Sequence, residues 1–100
     1  MCYNLSVTFV RRLNWDAGNV SHIARHQVTP EEVEQVCHGQ HVQRQAYAGR
    51  IMLIGTTEAG RILSVVLNPE ENDMYYPVTA RPASRGERRV YLSEKGGEGG

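Results

Sequence analysis

The sequence lacks several features that define whole classes of protein. Its 100 residues contain two cysteines, Cys2 and Cys37, which are too few for a disulfide framework. No apolar run approaches the length of a membrane span, and the first residues lack the charged start and apolar stretch of a secretory signal. We therefore expect a cytoplasmic protein that has no disulfides and no contact with a membrane.

A charge excess of either sign is also absent, because 11 basic and 11 acidic residues cancel. This excludes a strongly basic protein that binds nucleic acid through its overall charge. The charges are nevertheless unevenly distributed, since five cations lie in residues 81–95 while acidic groups cluster in residues 31–34 and 70–73. This distribution is consistent with a local basic site on a neutral protein.

The length and composition fit one small domain. A chain of 100 residues with 40% hydrophobic content can bury a modest core. We assign residues 1–95 to this single domain. Residues 96–100, Gly-Gly-Glu-Gly-Gly, offer nothing to bury and are predicted to form a disordered tail.

The first half of the chain predicts one strand and two helices. Residues 5–13 alternate loosely and contain β-branched and aromatic side chains, which favours a strand. Asp16 can cap a helix that runs to about residue 26, and Thr29 opens a capping box for a second helix. Gly39 is expected to end the second helix in the left-handed conformation. The positions expected to face the core are Val20, Ile23 and Ala24 in the first helix and Val33, Val36 and Cys37 in the second.

The second half of the chain predicts a sheet followed by a final helix. Strands are predicted over residues 41–47, 51–57, 61–68 and 74–80. Pro77 cannot donate a ladder hydrogen bond, so it favours an edge position for the last of them. Ser84 and Glu87 form another capping box, which predicts that a helix starts at Ser84. The element order predicts an α+β domain with an antiparallel sheet of four to five strands and helices packed on one face.

Arginines cluster around the start of this final helix. Pro82 favours extended backbone at Arg81, which places Arg81 at the end of the strand. Arg85, Arg88 and Arg89 have the spacing of residues that share one helix face. Guanidinium groups match phosphate oxygens and a helix N-terminus adds N–H donors, so we predict that the four arginines converge on a phosphate-binding corner. The alternative is an arginine face that is only solvated.

An aromatic side chain is expected beside this corner. Strict alternation along residues 74–81 puts Tyr75 on the same open face as Arg81. Arg81 would then contact a phosphate while the Tyr75 ring stacks on a base, as recognition of single-stranded RNA requires. The alternative interpretation packs Tyr75 under a helix and pairs Arg81 with Glu87.

Three stretches of the chain resemble the BrnT-type toxins and their small uncharacterised relatives. Residues 79–89, Thr-Ala-Arg-Pro-Ala-Ser-Arg-Gly-Glu-Arg-Arg, are similar to the C-terminal signature of that family. Residues 14–26 resemble its opening strand and helix, and residues 49–55 resemble its first long hairpin strand. At residues 25–27 this chain has Arg-His-Gln where the toxins commonly have Lys-His-Gly. The resemblance implies a RelE-like fold and, in the toxin members, metal-independent ribonuclease activity that a partner antitoxin blocks.

Cleavage of RNA without a metal needs three kinds of group. One takes the proton of the 2′-OH, cations stabilise the crowded phosphorane, and an acid protonates the leaving oxygen. Arg50 and Arg81 fit the cationic role. His26 can act as acid or base because imidazole exchanges protons near neutral pH. Glu58 or Glu87 could replace His26 in this role.

The four histidines come in close pairs, His22 with His26 and His38 with His41. Metal sites also use such spacings, but neither pair belongs to an HExxH pattern or has a third clustered ligand. We predict no metal and no cofactor. The predicted partners are an RNA substrate and an antitoxin protein. The alternative function is a non-catalytic module that binds a protein or RNA through its C-terminal arginine corner.

Overall fold

The segments predicted from periodicity and caps are present in the computed structural model, which describes residues 12–97. In chain order the elements are β1 (Arg12–Leu13), α1 (Ala17–Ala24), α2 (Pro30–His38), β2 (His41–Gln45), β3 (Ile51–Thr56), β4 (Ile62–Pro69), β5 (Met74–Pro82) and α3 (Arg85–Gly97). The predicted α+β class is confirmed. The part of the predicted first strand before residue 12 lies outside the described residues.

The five strands form one sheet in the order β1-β5-β4-β3-β2. Strands β2 to β5 pair antiparallel, because each follows its neighbour through a short connection. Strand β1 pairs parallel with β5, with Arg12 opposite Met74 and Leu13 opposite Tyr75. The sheet is therefore mostly antiparallel but mixed, which corrects the expectation of a purely antiparallel sheet. The chain between β1 and β5 contains all the other strands, so no hairpin constrains their direction.

Strand β5 lies inside the sheet, between β1 and β4, so the edge position predicted from Pro77 is wrong. Two local features accommodate this proline. A β-bulge shifts the register so that Val66 faces Thr79 while Leu67 faces Pro77. In addition, the pairing with β1 ends at Tyr75. Pro77 therefore occupies a position where its missing N–H costs little.

The three predicted helix starts are confirmed by their hydrogen bonds. The Asp16 side chain accepts a hydrogen bond from the Asn19 backbone N–H at 2.8 Å, and Asn19 Oδ1 accepts one from the Asp16 backbone N–H at 2.9 Å. Thr29 and Glu32 exchange the same two bonds at the start of α2. Such caps satisfy orphan N–H groups, and losing one costs about 0.5–2 kcal/mol.

The main core lies between α1, α2 and one face of the sheet, which we call the core face. Its members are Leu13, Ile23, Val28, Val33, Val36, Cys37, Leu53, Leu63, Val65, Leu67, Tyr75 and Ala80. The predicted inner face of α2 is confirmed. In α1, however, Ala24 is exposed and Asn19 is buried, with its Nδ2 donating to the Asn14 carbonyl at 3.0 Å. Burying each large aliphatic side chain stabilises the fold by about 1.5–3 kcal/mol.

Gly39 ends α2, but for a different reason than the one predicted. Its backbone is extended, with φ −105°, and not left-handed. A Cβ atom at this position would lie 2.8 Å from the Gln35 carbonyl oxygen, so the close approach requires glycine. Gly55 on β3 is required in the same way, because a Cβ there would lie 2.7 Å from the Gln40 carbonyl oxygen. The same Cβ would lie 3.0 Å from Val36 Cγ1, which shows that α2 lies directly on the core face.

Helix α3 packs on the opposite face of the sheet, which we call the α3 face and define by Ile54, Ser64 and Arg81. These three residues are directly paired across β3, β4 and β5, so their side chains point to the same side. Ser64 Oγ donates to Glu87 of α3 at 2.7 Å. Helices therefore cover both faces of the sheet, which corrects the prediction of one-sided packing. The reason is that Ile54 is apolar and needs cover of its own, and it is 2% exposed.

The end of α3 overlaps the predicted tail. The helix includes Gly96 and Gly97, which the composition predicts to be disordered. Residues 98–100 lie outside the described residues. The single domain of residues 1–95 remains a prediction.

Candidate active site

Arg81 forms a bidentate ion pair with Glu87 on the α3 face. Its Nη1 and Nη2 atoms donate to Glu87 Oε1 and Oε2, both at 2.8 Å. The Arg81 side chain is 41% exposed and the Glu87 side chain 18%. Planar guanidinium and carboxylate groups match best in this geometry, which fixes the orientation of both. The end of β5 and the first turn of α3 thus hold Arg81 in one defined position.

The Glu87 carboxylate also accepts hydrogen bonds from two serines. Its Oε1 accepts from the Ser84 backbone N–H at 2.9 Å and from Ser64 Oγ at 2.7 Å, while Ser84 Oγ accepts from the Glu87 N–H at 3.2 Å. The capping box predicted for α3 is therefore confirmed. The hydrogen bond from Arg81, more than any other contact, lowers the pKa of Glu87 to about 2, and the serines add to this effect against partial burial. The same hydrogen bond raises the pKa of Arg81.

These shifts define what the pair can do chemically. A carboxyl group with a pKa of about 2 is ionised at neutral pH and binds a proton only weakly. A general base works best when its pKa lies near the operating pH. Glu87 is therefore poorly suited to replace His26 as a base. Its position suits it to hold Arg81 and to cap α3.

The predicted convergence of four arginines is wrong. Arg81 lies on the side of α3 that faces the sheet, where Glu87 and Tyr91 also make their contacts. Arg85, Arg88 and Arg89 are exposed and line a shallow groove on another side of the helix. The capping geometry that directs Glu87 towards the sheet turns the three helix arginines outwards.

Tyr75 is buried in the core, with 8% of its surface exposed, so the predicted stacking role for its ring is wrong. The cause is the β-bulge of β4 and β5. Strict alternation fails at a bulge, and in β5 Tyr75 and Ala80 both face the core. Tyr76 has the surface position instead, and its hydroxyl donates to the Asp16 carboxylate at 3.0 and 3.2 Å. The alternative interpretation, with Tyr75 packed and Arg81 paired with Glu87, describes the structure.

Arg50 lies at the far end of the same sheet face, beside the turn that joins β2 and β3. Its Nε donates to Asn68 Oδ1 at 3.4 Å, and its guanidinium carbon lies 5.1 Å from the centre of the Tyr47 ring. Tyr47 itself is 60% exposed. Tyr47 and Asn68 are not among the site residues predicted from the sequence. One sequence feature could have indicated this pair: an aromatic residue stands three positions before an arginine, in a turn that contains glycine.

Arg50 and Arg81 share the α3 face but do not meet. Their neighbours on β4 are Asn68 and Ser64, which are four residues apart and point to the same side. At roughly 3.3 Å per residue, the two positions are separated by about 13 Å along the strand. They are therefore spaced to contact different parts of one extended ligand.

His26 lies apart from both arginines. It follows the last turn of α1 and is half-buried, and its ring lies 5.8 Å from that of His22 in an edge-on arrangement. Among the residues described, no hydrogen bond or ion pair joins His26 to Arg50 or Arg81. The predicted catalytic trio is thus not assembled by direct contacts.

Other reactive groups in the described part of the chain serve the fold. Burial, with a smaller contribution from Glu34, raises the pKa of the Cys37 thiol to about 12, so this cysteine is a poor nucleophile. His41 Nδ1 lies 3.0 Å from the Val36 carbonyl oxygen at the end of α2. Within residues 12–97, no three His, Cys, Asp or Glu side chains group as a metal site.

Comparison with known proteins adds evidence about the fold. No protein-family model matches the sequence, and no curated protein matches it. The structure is similar to the crystal structure of the ribonuclease toxin BrnT of Brucella abortus, with a TM-score of 0.61 and 22% sequence identity. The match covers 74% of this chain and 97% of the toxin. The fold is BrnT-like.

The resemblance inferred from residues 14–26, 49–55 and 79–89 is thereby confirmed at the level of the fold. The wider RelE-like grouping remains a prediction. No helix in the described part of the chain is both long and apolar enough to cross a membrane.

Proposed function

We propose that the protein is a small, metal-independent endoribonuclease of the bacterial cytoplasm, either the toxin of a toxin-antitoxin pair or a relative of one. The observation that carries this proposal is the placement of Arg50 and Arg81 on one sheet face of a BrnT-like fold. Arg81 is held in a fixed orientation by Glu87 and retains exposed surface for a ligand. Fixed cations of this kind stabilise a phosphorane without reorganising during the reaction.

In the proposed reaction the 2′-oxygen attacks the adjacent phosphorus and the bond to the 5′-oxygen breaks. The 2′-OH proton passes to a base, the leaving oxygen gains a proton, and a 2′,3′-cyclic phosphate remains on the 5′ product. Arg81 contacts the scissile phosphate through the N–H groups that Glu87 does not use. Arg50 contacts a more distant phosphate of the same strand, since the two arginines are about 13 Å apart along β4. The sequence predicts His26 as the proton-transfer residue, but His26 follows a helix on the core face, so proton transfer by His26 is the step that the experiment below tests.

The experiment is cleavage of single-stranded RNA by purified protein in excess chelator. Wild type is expected to cut and to leave cyclic phosphate ends, and His26→Gln is expected to reduce the rate about 10²-fold to 10⁴-fold. Activity that appears only after a divalent metal is added would contradict metal independence. Full activity of His26→Gln would remove His26 from the reaction.

A second candidate function is favoured by a separate observation, the exposed outer side of α3. Arg85, Arg88 and Arg89 lie beside Leu92, which is 56% exposed. A non-catalytic module could bind a partner protein or RNA through this surface. Absence of cleavage by wild type under all metal-free conditions, together with binding that requires these arginines, would favour this function.

The toxin assignment also predicts a protein partner. We expect the gene to lie beside one that encodes a small DNA-binding antitoxin. Expression of this chain alone should arrest growth, and co-expression of the neighbour should restore it. Growth arrest that the neighbouring gene fails to relieve would contradict the pairing.

A further inference from the structure

We propose that Tyr47 stacks on a base of single-stranded RNA while Arg50 contacts a phosphate of the same strand. This inference rests on the proposed function, because it names how the RNA is held. It replaces Tyr75, which the structure buries, with an aromatic residue that is accessible. The resulting subsite lies at the β2–β3 turn, at the opposite end of the α3 face from Arg81.

The exposure of Tyr47 is the first argument. Of the large apolar side chains in the described residues, Tyr47 and Leu92 are the strongly exposed ones, at 60% and 56%. A single exposed aromatic residue is ordinary on a protein surface. Tyr47 differs because the Arg50 guanidinium already forms a cation–π contact with its ring. The Arg50 guanidinium carbon lies 5.1 Å from the ring centre, and Asn68 holds Arg50 Nε at 3.4 Å.

The backbone of the turn is the second argument. Tyr47 opens a single 3-10 turn that ends at Gly49, and Ala48 within it has φ +56°. A left-handed conformation is unfavourable for alanine by about 1–2 kcal/mol. Residues in such conformations cluster at binding sites, and asparagine and glutamine adopt the same conformation at Asn72 and Gln27 in other turns. Ala48 has no polar side chain that could stabilise this conformation, so the turn presents the ring at a cost in stability.

The chemistry of the pair identifies the ligand class. Arg50 occupies one part of the ring surface, and the exposed remainder can accept a planar base. Aromatic stacking tolerates every base, and an adjacent guanidinium contacts the backbone. A duplex cannot use this subsite, because its bases are already stacked and paired. We therefore expect binding of single strands with little sequence preference.

The test is binding of a short, fluorescein-labelled 2′-O-methyl oligoribonucleotide, which cannot be cleaved because its attacking oxygen is blocked. Fluorescence anisotropy would compare wild type with Tyr47→Ala, Tyr47→Phe and Gln45→Ala. Tyr47→Ala is expected to weaken binding about 5-fold to 150-fold, as loss of one stacked base does. Tyr47→Phe keeps the ring and should bind like wild type. Gln45→Ala is the matched control, since it removes an exposed side chain two positions away that pairs with Ile51 and so lies on the core-face side of β2.

A second measurement separates stacking from an indirect structural effect. Each nucleotide of the oligonucleotide is replaced in turn by an abasic unit. At the position that contacts Tyr47, removal of the base should weaken binding to wild type but not to Tyr47→Ala. Thermal melting of each variant checks that the protein remains folded.

The outcomes distinguish this inference from the proposed function. If wild type binds the oligonucleotide and Tyr47→Ala binds equally well, the stacking role is overturned while ribonuclease function stands. If wild type binds no RNA at all, both proposals fail. Equal losses for Tyr47→Ala and Tyr47→Phe would also overturn stacking, because the ring would then not be the group that matters.

Discussion

The two faces of the sheet differ in kind. On the core face, Leu53, Leu63 and Val65 are fully buried beneath α1 and α2. On the α3 face, Ile54 and Val66 are also buried, but polar contacts join the strands to the helix: Ser64 and Arg81 bind Glu87, and Arg44 pairs with Glu94. The core face holds most of the buried apolar side chains and supplies most of the stability, which leaves the other face able to display charged groups. The candidate site therefore occupies the face on which the fold depends less.

The largest effect should come from the core face. Leu53→Ala leaves a cavity among residues that cannot close around it, so we expect a loss of about 2–5 kcal/mol in the free energy of unfolding. Met52 is the matched control, because it directly precedes Leu53 on β3, is half-buried and points to the α3 face. Urea denaturation would measure both variants. Equal losses for Met52→Ala and Leu53→Ala would break the distinction between the faces.

Arg81 should have the next largest effect, on activity. Arg81→Ala is expected to lower the cleavage rate about 10²-fold to 10³-fold. Arg81→Lys should not restore it, since lysine offers a point charge without the planar fork. The free energy of unfolding should fall by no more than about 1 kcal/mol, because the side chain is 41% exposed and solvent screens the ion pair. Equal cleavage rates for wild type, Arg81→Ala and Arg81→Lys would remove Arg81 from the site.

Glu87 should affect stability more than chemistry. Glu87→Ala removes one half of the α3 capping box and should cost about 0.5–2 kcal/mol of unfolding free energy. Because Glu87 also orients Arg81, we expect nuclease activity in the folded fraction to fall, but by less than in Arg81→Ala. The exposed Glu71, in the turn between β4 and β5, is the control. A loss of activity larger than that of Arg81→Ala would instead make Glu87 part of the reaction.

The same residue predicts a pH dependence. The pKa of Glu87 is about 2 in the folded protein, against an ordinary value of 4.5. Its contribution to stability is therefore present above pH 4.5 and is lost as pH falls from 4.5 through about 2. Wild type and Glu87→Gln should differ in unfolding free energy at neutral pH and converge across this range. Parallel curves at every pH would show that the ion pair does not stabilise the fold.

The smallest effect on stability should come from the outer side of α3. Changing Arg85, Arg88 and Arg89 to glutamine should alter the unfolding free energy by less than about 0.5 kcal/mol for each residue, since all three are exposed. If these arginines bind RNA, the triple variant should also show a weaker dependence of affinity on salt. A change in stability comparable to that of Leu53→Ala would mean that this side of α3 is covered in the folded protein.

The helix starts and most strand positions could be predicted from local sequence patterns. Asp16, Thr29 and Ser84 cap their helices through residues at most three positions away, so their effect depends on few other parts of the chain. The pairing of the hairpin strands also depends on nearby residues, because a short turn sets their register. For the same reason the Glu87 cap could be predicted without knowledge of the fold.

Which side chains are available at the candidate site depends on contacts between distant parts of the chain. The bulge opposite Val66 and Leu67 buries Tyr75, and the crossing of α3 to the second face gives Arg81 its partner. Tyr47 meets Arg50 in a tight turn, and Asn68 of another strand then holds Arg50 in place. Local patterns specify backbone conformation, because its hydrogen bonds form between near neighbours. The face that a side chain occupies depends on register and packing between distant segments, and these are set only when the whole sheet assembles.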